Sequence, residues 1–152
     1  MNAGVVLGTR RSQIDTPSAH AMKRGPTMRG EVVISGRPIL APWQVQLATQ
    51  VMRRSIGGAI SVAHIASLCR LSLSHFVRAF TNTVGIAPYA WFVQQRISQA
   101  KHLLCSTALP LAQIALECGF SDQAHFTKGF AKSTGLTPAR WRRQILWDRR
   151  RS

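Results

Sequence analysis

The feature that most constrains this chain is an internal repeat. Phe76, Phe80, Gly85, Pro88 and Trp91 recur as Phe126, Phe130, Gly135, Pro138 and Trp141, each 50 residues further on. Just before them, Ile65, Ala66 and Cys69 recur as Ile114, Ala115 and Cys118, 49 residues on. Eight like-for-like matches in 152 residues are not a coincidence of composition. Two copies make a duplicated unit and not a solenoid, which needs about three stacked repeats or more. The step from 49 to 50 puts one additional residue in the second copy, in the turn between its two helical stretches.

Each copy reads as a short helix, a tight turn and a longer helix. In the first copy Ile65, Ala66 and Cys69 form a short apolar stripe, and Phe76, Val77 and Phe80 form the inward face of the longer helix. In the second, Leu111, Ile114, Ala115 and Cys118 are followed by Phe126 and Phe130. Ser61 and Ser72 are suited to N-cap the helices of the first copy; Ser121 or Asp122 does so in the second. Gly85 and Gly135 stop the longer helices, and Pro88 and Pro138 open new ones. Upstream, Pro42 opens a helix with Val45, Ala48, Val51 and Met52 at helical spacing, ended by Gly57-Gly58. Between the copies, Val93, Ile97, Ala100 and Leu104 mark one face of a helix of about 17 residues, roughly 25 Å long.

The expected fold is therefore all-α: two helix-turn-helix subdomains, a homeodomain-like tandem, joined by a long linker helix. The boundaries are 42–87 for the first subdomain, 88–105 for the linker and 106–147 for the second, within a domain of 39–147. Residues 1–38, punctuated by Gly4, Gly8, Pro17, Gly25, Pro26, Gly30, Gly36 and Pro38, read as a disordered basic arm. Glu31–Ser35 is a short strand or nothing. Residues 148–152 are a solvated basic tail.

Charge narrows the partner. Twenty Lys and Arg stand against five Asp and Glu, a net charge of +15. That imbalance costs self-repulsion and points to a polyanion: nucleic acid first, an anionic membrane surface second. No apolar run approaches the ~20 residues that cross a bilayer, and the N-terminus lacks the apolar core of a secretion signal. Three cysteines without paired spacing fit a reducing, cytoplasmic setting. Cys69 and Cys118 read as small buried hydrophobes, and Trp91 and Trp141 as core anchors. Asp15, Glu31, Glu117, Asp122 and Asp148 include no neighbouring pair for acid–base catalysis. His64, His75, His102 and His125 never pair with cysteines at zinc spacing, and no glycine-rich phosphate loop appears. An enzyme, a metal site and a cofactor are therefore not expected.

In a DNA-binding helix-turn-helix the second helix lies in the major groove. Near the start of the first such helix the outward residues are Leu73, Ser74, His75 and Arg78. In the second they are Gln123, Ala124, Thr127 and Lys128. Arginine pairs with guanine and glutamine with adenine through two hydrogen bonds each, and helix N-termini suit phosphates. An αα-corner with no ligand is the alternative reading of one motif; two copies on so basic a chain weigh against it.

The second half, "LPLAQIALECGFSDQAHFTKGFAKSTGLTPARWRR", resembles the signature of the AraC/XylS family of bacterial transcription regulators. The stretch "ISVAHIASLCRLSLSHFVRAFTNTVGIAPYAWFVQQRISQAKHLL" resembles that family's other helix-turn-helix. The likeness runs from roughly Pro42 to Arg143. It implies that both recognition helices enter successive major-groove segments of one duplex, so that a monomer reads a site that need not be palindromic. The family's base-reading positions fall on Ser74, Val77 and Arg78 and on Gln123, Ala124 and Lys128, where the family often has arginine at the last. Lysine there is a weaker fork and serves phosphate contact as well. Arg70, His75, His125 and Thr127 are implied on the phosphate side, with packing an equal alternative for the two histidines. Arg96 is implied as an internal tether in preference to a phosphate contact. The resemblance makes double-stranded DNA the partner and RNA polymerase a further candidate, with no small-molecule effector domain visible, as in short stand-alone members. A non-specific architectural nucleic-acid binder is the alternative. A regulator of repair or methyl transfer would need a reactive cysteine region that these residues lack.

One departure from the family pattern is specific. The first turn usually carries glycine after the short helix, as Gly119 does in the second copy, but here the position is Arg70. If the backbone there has positive φ, arginine costs roughly 1 kcal/mol against glycine.

Overall fold

The computed structural model describes residues 32–152, and they begin with a hairpin. Strand β1 (Val32–Ile34) pairs antiparallel with β2 (Arg37–Ile39). Ser35 and Gly36 make the two-residue turn, with φ of 52° and 77°, the positive-φ pair that matches the twist of short hairpins. The expectation of a disordered arm therefore fails for residues 32–38, while residues 1–31 lie outside the described residues. Tertiary contact explains the difference. Leu40, just after β2, is buried, its N–H donates to Thr83 Oγ1 at 2.9 Å, and Asn82 Nδ2 donates to the Pro38 carbonyl at 2.9 Å. Three residues per strand would not hold alone in water; the helix that carries Asn82 and Thr83 holds them.

Seven helices follow among the described residues: α1 (Pro42–Arg54), α2 (Val62–Leu68), α3 (Leu73–Val84), α4 (Pro88–Ser106), α5 (Leu111–Glu117), α6 (Gln123–Thr134) and α7 (Pro138–Arg151). Their starts obey the sequence signals. Ser61 and Ser72 accept hydrogen bonds from the backbone N–H groups of His64 and His75. In the second copy Asp122, not Ser121, is the cap. Helices α3 and α6 end at Gly85 and Gly135 in the left-handed conformation. Helix α7 carries the basic C-terminal residues on a continuous helix through Arg151.

The aromatic cores of the two copies are built alike. Phe76 packs on Phe80 with ring centroids 5.7 Å apart, and Phe80 meets Trp91 edge-on at 6.3 Å. Phe126 packs on Phe130 at 5.6 Å, and Phe130 meets Trp141 edge-on at 5.7 Å. Each tryptophan also has a cation over its ring, Arg53 at 5.5 Å from Trp91 and Lys101 at 4.9 Å from Trp141. Cys69 and Cys118 are fully buried, and burial pushes both thiols up to about 11, which leaves them protonated packing groups. The apolar interior divides in two on α4: Phe92 belongs to the first cluster, Ile97 to the second.

Helix α4 has two roles. Its first half closes the first unit, and its second half opens the second unit as α1 opens the first. The buried positions Gln44, Ala48 and Met52 of α1 correspond to Arg96, Ala100 and Leu104, 52 residues on. The repeat thus extends one helix further upstream than like-for-like matching reveals. Gln44 and Arg96 are the buried polar side chains of the described residues, at 0% and 8% exposure. Gln44 serves its own unit: Oε1 accepts from the Ala41 N–H at 2.8 Å and Nε2 donates to the Cys69 carbonyl at 2.9 Å.

The two turns close in the same way but tolerate different residues. After α2, Arg70 N–H donates to Ser67 O and Leu71 N–H to Ala66 O, both at 3.0 Å. After α5, Gly119 N–H donates to Leu116 O and Phe120 N–H to Ala115 O, both at 2.9 Å. This is the double-bonded helix end that places its C′ residue in the left-handed region. Arg70 has φ 60° and Gly119 has φ 76°, so the condition for strain at Arg70 is met. A Cβ on Gly119 would also lie 2.3 Å from the Ile56 carbonyl oxygen and 2.6 Å from Arg96 Nη2. Arg70 is exposed. Strain alone therefore opposes a side chain in the first turn, whereas strain and collision both oppose one in the second. Arg70→Gly is expected to stabilise the chain by about 1 kcal/mol, and Gly119→Ala to destabilise it by more than that. Thermal and urea unfolding of the two variants checks both signs; a lower melting temperature for Arg70→Gly contradicts the strain argument.

Candidate nucleic-acid interface

The longer helix of each unit divides its residues sharply between core and solvent. On α3, Phe76, Ala79 and Phe80 are buried, and Leu73, Ser74 and Arg78 are exposed. On α6, Phe126 and Phe130 are buried, and Gln123, Ala124, His125 and Lys128 are exposed. Arg78 and Lys128 occupy the same repeat position, 50 residues apart. Both are free of the core, as a long cation that reaches for a base or phosphate must be. Val77 and its counterpart Thr127 are half-buried at the edge of the face. Their outer surface suits contact with a thymine methyl or a sugar more than a long reach.

The N-terminal turn of α6 is rigidly built. His125 N–H donates to Asp122 Oδ1 at 2.7 Å, and Ser121 Oγ donates to Asp122 Oδ2 at 3.2 Å. Ser121 Oγ also lies 3.1 Å from His125 Nδ1. The His125 ring meets Phe120 edge-on at 5.4 Å, so the imidazole packs on the turn while remaining exposed. His75 differs. It is half-buried, and its Nε2 is shut off from solvent. Arg70 is exposed at the turn before α3.

Two features of this surface were not visible as linear signals. Arg142, one of the basic residues of α7, is half-buried, and its Nη2 donates to the Leu109 carbonyl at 2.8 Å. It therefore ties α7 to the segment between α4 and α5, and Arg143 is the solvated member of the pair. Gln44, buried beneath the first turn, gave no signal in sequence beyond a polar residue on an otherwise apolar helix face. Arg96 is internal, as the tether reading required: its Nε donates to the Ile56 carbonyl at 3.1 Å and its Nη2 to that of Gly58. Among the described residues, no helix is long and apolar enough to cross a membrane.

Two capped helix-turn-helix units with exposed polar faces define a class of protein, and comparison with known proteins agrees. A family model described as a helix-turn-helix domain matches residues 59–144. The probable transcriptional regulator LumQ of Photobacterium leiognathi is 37% identical over 82 residues, which cover 54% of this chain and 33% of LumQ. The arabinose operon regulatory protein of Escherichia coli is 40% identical over 81 residues, covering 53% of this chain and 28% of that protein. Among solved structures, a transcriptional regulator from Chromobacterium violaceum, described as an AraC-type DNA-binding domain-containing protein, superposes with a TM-score of 0.63 at 28% identity. That match covers 67% of this chain and 91% of the other. The chain belongs to the AraC/XylS family of helix-turn-helix transcription regulators. It matches a third or less of the length of these two curated relatives.

The Asp122 cap ties this surface to pH. The His125 N–H bond, more than any other cause, holds the Asp122 carboxyl below the usual carboxylate range. A depressed folded-state pKa contributes stability at pH values above the ordinary aspartate range, near ~4. That contribution is lost as pH falls through the folded value. Asp122→Ala is therefore expected to lower the melting temperature at neutral pH, with the gap from the unmodified chain closing in acid. Paired melting curves from pH 7 downward test this; a gap that does not change with pH would show that the carboxylate charge is irrelevant to the cap.

Proposed function

We propose that this chain is a sequence-specific DNA-binding regulator of transcription that reads two successive major-groove segments of one duplex, α3 in one and α6 in the next. The observation that carries the reading is the equivalence of α3 and α6. Each begins at a side-chain cap, buries a Phe-x-x-x-Phe edge and leaves a long cation, Arg78 or Lys128, exposed at the same repeat position. Family membership supports it, and so does the net charge of +15. Ser74, Val77 and Arg78 would read one segment and Gln123, Ala124 and Lys128 the other. Arg70, Thr127 and His125 would lie against phosphates, with His75 beside them only if its ring turns outward. Phosphate contacts would supply most of the affinity, which would fall steeply as salt rises; base contacts would choose the site. The two faces differ in sequence, so an asymmetric site suits them. RNA polymerase is the partner through which such a regulator would act on transcription, and the cytoplasm is where it would meet both.

The competing reading is a non-specific architectural binder driven by charge alone. Selection of duplexes from a random pool, followed by competition of the selected site against random DNA at fixed salt, separates the two. Preference for the selected site supports sequence reading, and equal competition overturns it. Given a selected site, Arg78→Ala is expected to cost ~1–3 kcal/mol on that site and to relax base preference in one segment only. A uniform loss on every sequence would move Arg78 to the phosphate side.

A further inference from the structure

We infer that Arg96 sets the angle between the two reading helices, and with it the spacing between groove segments that one molecule can occupy together. This rests on the two-segment reading above and adds the device that fixes the distance. The two units are not fused by a common core. Their apolar clusters separate between Phe92 and Ile97 of α4, and a cleft of about 470 Å³ opens between them, lined by Tyr89, Phe92, Leu116, Phe120 and His125 among others. A continuous helix of 19 residues connects the units, but between Phe92 and Ile97 neither apolar cluster spans the junction to resist bending or twisting of that helix.

Arg96 spans that junction. Its guanidinium donates to the carbonyls of Ile56 and Gly58, in the loop that follows α1 of the first unit. The same group stacks 4.4 Å from the Phe92 ring centroid and lies 5.9 Å from that of Phe120 in the second unit's turn. Gly119 lets this happen: a Cβ there would sit 2.6 Å from Nη2 and 2.3 Å from the Ile56 oxygen. Beside it, Gly57 abuts the Glu117 carbonyl, 3.3 Å from where its own Cβ would be. Three segments, the 56–58 loop, α4 and the 119–120 turn, thus meet at one side chain.

The repeat shows that this contact is a change of use. At the equivalent position of α1, Gln44 donates to the Cys69 carbonyl of its own unit. Arg96 reaches out of its unit instead, to carbonyls 40 and 38 residues upstream. Arginine has the length and the planar fork to hold two acceptors at once, and neither glutamine nor lysine has both.

Arg96→Gln tests this directly, because glutamine is the residue the other copy uses under its own turn. Residual dipolar couplings of the free chain provide a readout without DNA. The unmodified chain should give one shared alignment for both units, and Arg96→Gln should give two unlike ones. Arg96→Lys, which keeps a donor but not the fork, should fall between. The second readout uses the duplex selected by the unmodified chain, rebuilt with one base pair inserted between the two segments. Each inserted pair adds about 3.4 Å and turns the second segment by roughly 35°. The unmodified chain should lose at least about tenfold in affinity on the inserted duplex, the scale of one lost bidentate base contact. Arg96→Gln should bind the original duplex less tightly and lose at most about threefold on insertion. A shared alignment in Arg96→Gln, or an insertion penalty equal to that of the unmodified chain, overturns the inference. If no duplex is preferred over random DNA, the two-segment reading falls instead, and the couplings still decide whether Arg96 holds the units together.

Discussion

A buried guanidinium that donates to two backbone carbonyls is the contact on which the arrangement of the two units depends. Removing a cation from water is costly, and a well-packed apolar group of similar size would often be as stable. Arg96 is held at 8% exposure, with its pKa lowered by desolvation. An apolar side chain could fill the same space but could not specify direction. Two carbonyls in fixed places accept a planar fork in one orientation, and charge makes those bonds stronger than neutral ones. The absence of a side chain on Gly119 and the thinness of the loop at Gly57 are the complementary half of the contact.

Around that joint, duplication has kept the scaffold and varied the use. The Phe–Phe–Trp stack, the cation over each tryptophan, the helix end with its left-handed residue and the side-chain cap recur in both units. What differs is where each unit faces its partner. The first turn faces solvent and carries Arg70 at φ 60°. The second faces the first unit's loop, where a Cβ on Gly119 would collide with the Ile56 carbonyl oxygen. The buried polar residue of each opening helix follows the same division, Gln44 turned inward and Arg96 turned across.

The same helices that build the cores present the candidate reading faces, yet the two tasks use different positions. Phe76, Phe80, Phe126 and Phe130 are inaccessible, and Ser74, Arg78, Gln123 and Lys128 are exposed. The outer residues of α3 and α6 can therefore differ between units without a packing cost. Capping fixes where each helix begins, and hence which side chains lie in the first turn and a half. Asp122 does this with help from Ser121 and His125 in the second unit; Ser72 does it more simply in the first.

The helices, their caps and stops and the duplicated core could be read from the residues because each rests on a local rule: helical spacing of apolar side chains, oxygen side chains before a helix, glycine after one. The exposed faces of α3 and α6 followed by subtraction once the buried faces were known. The hairpin at Val32–Ile39 escaped because its three-residue strands are held by Asn82 and Thr83, more than 40 residues away in the chain. The apolar run at Glu31–Ser35 left a short strand open, but nothing local to it decided the pairing. The third helix of each repeat escaped because α1 and α4 share buried positions but few identities. Which carbonyls Arg96 reaches, why Gly119 must lack a side chain, and that Arg142 points inward were decided by tertiary structure alone. Each depends on two segments distant in sequence arriving within a few ångströms of each other, and no pattern within either segment encodes that meeting.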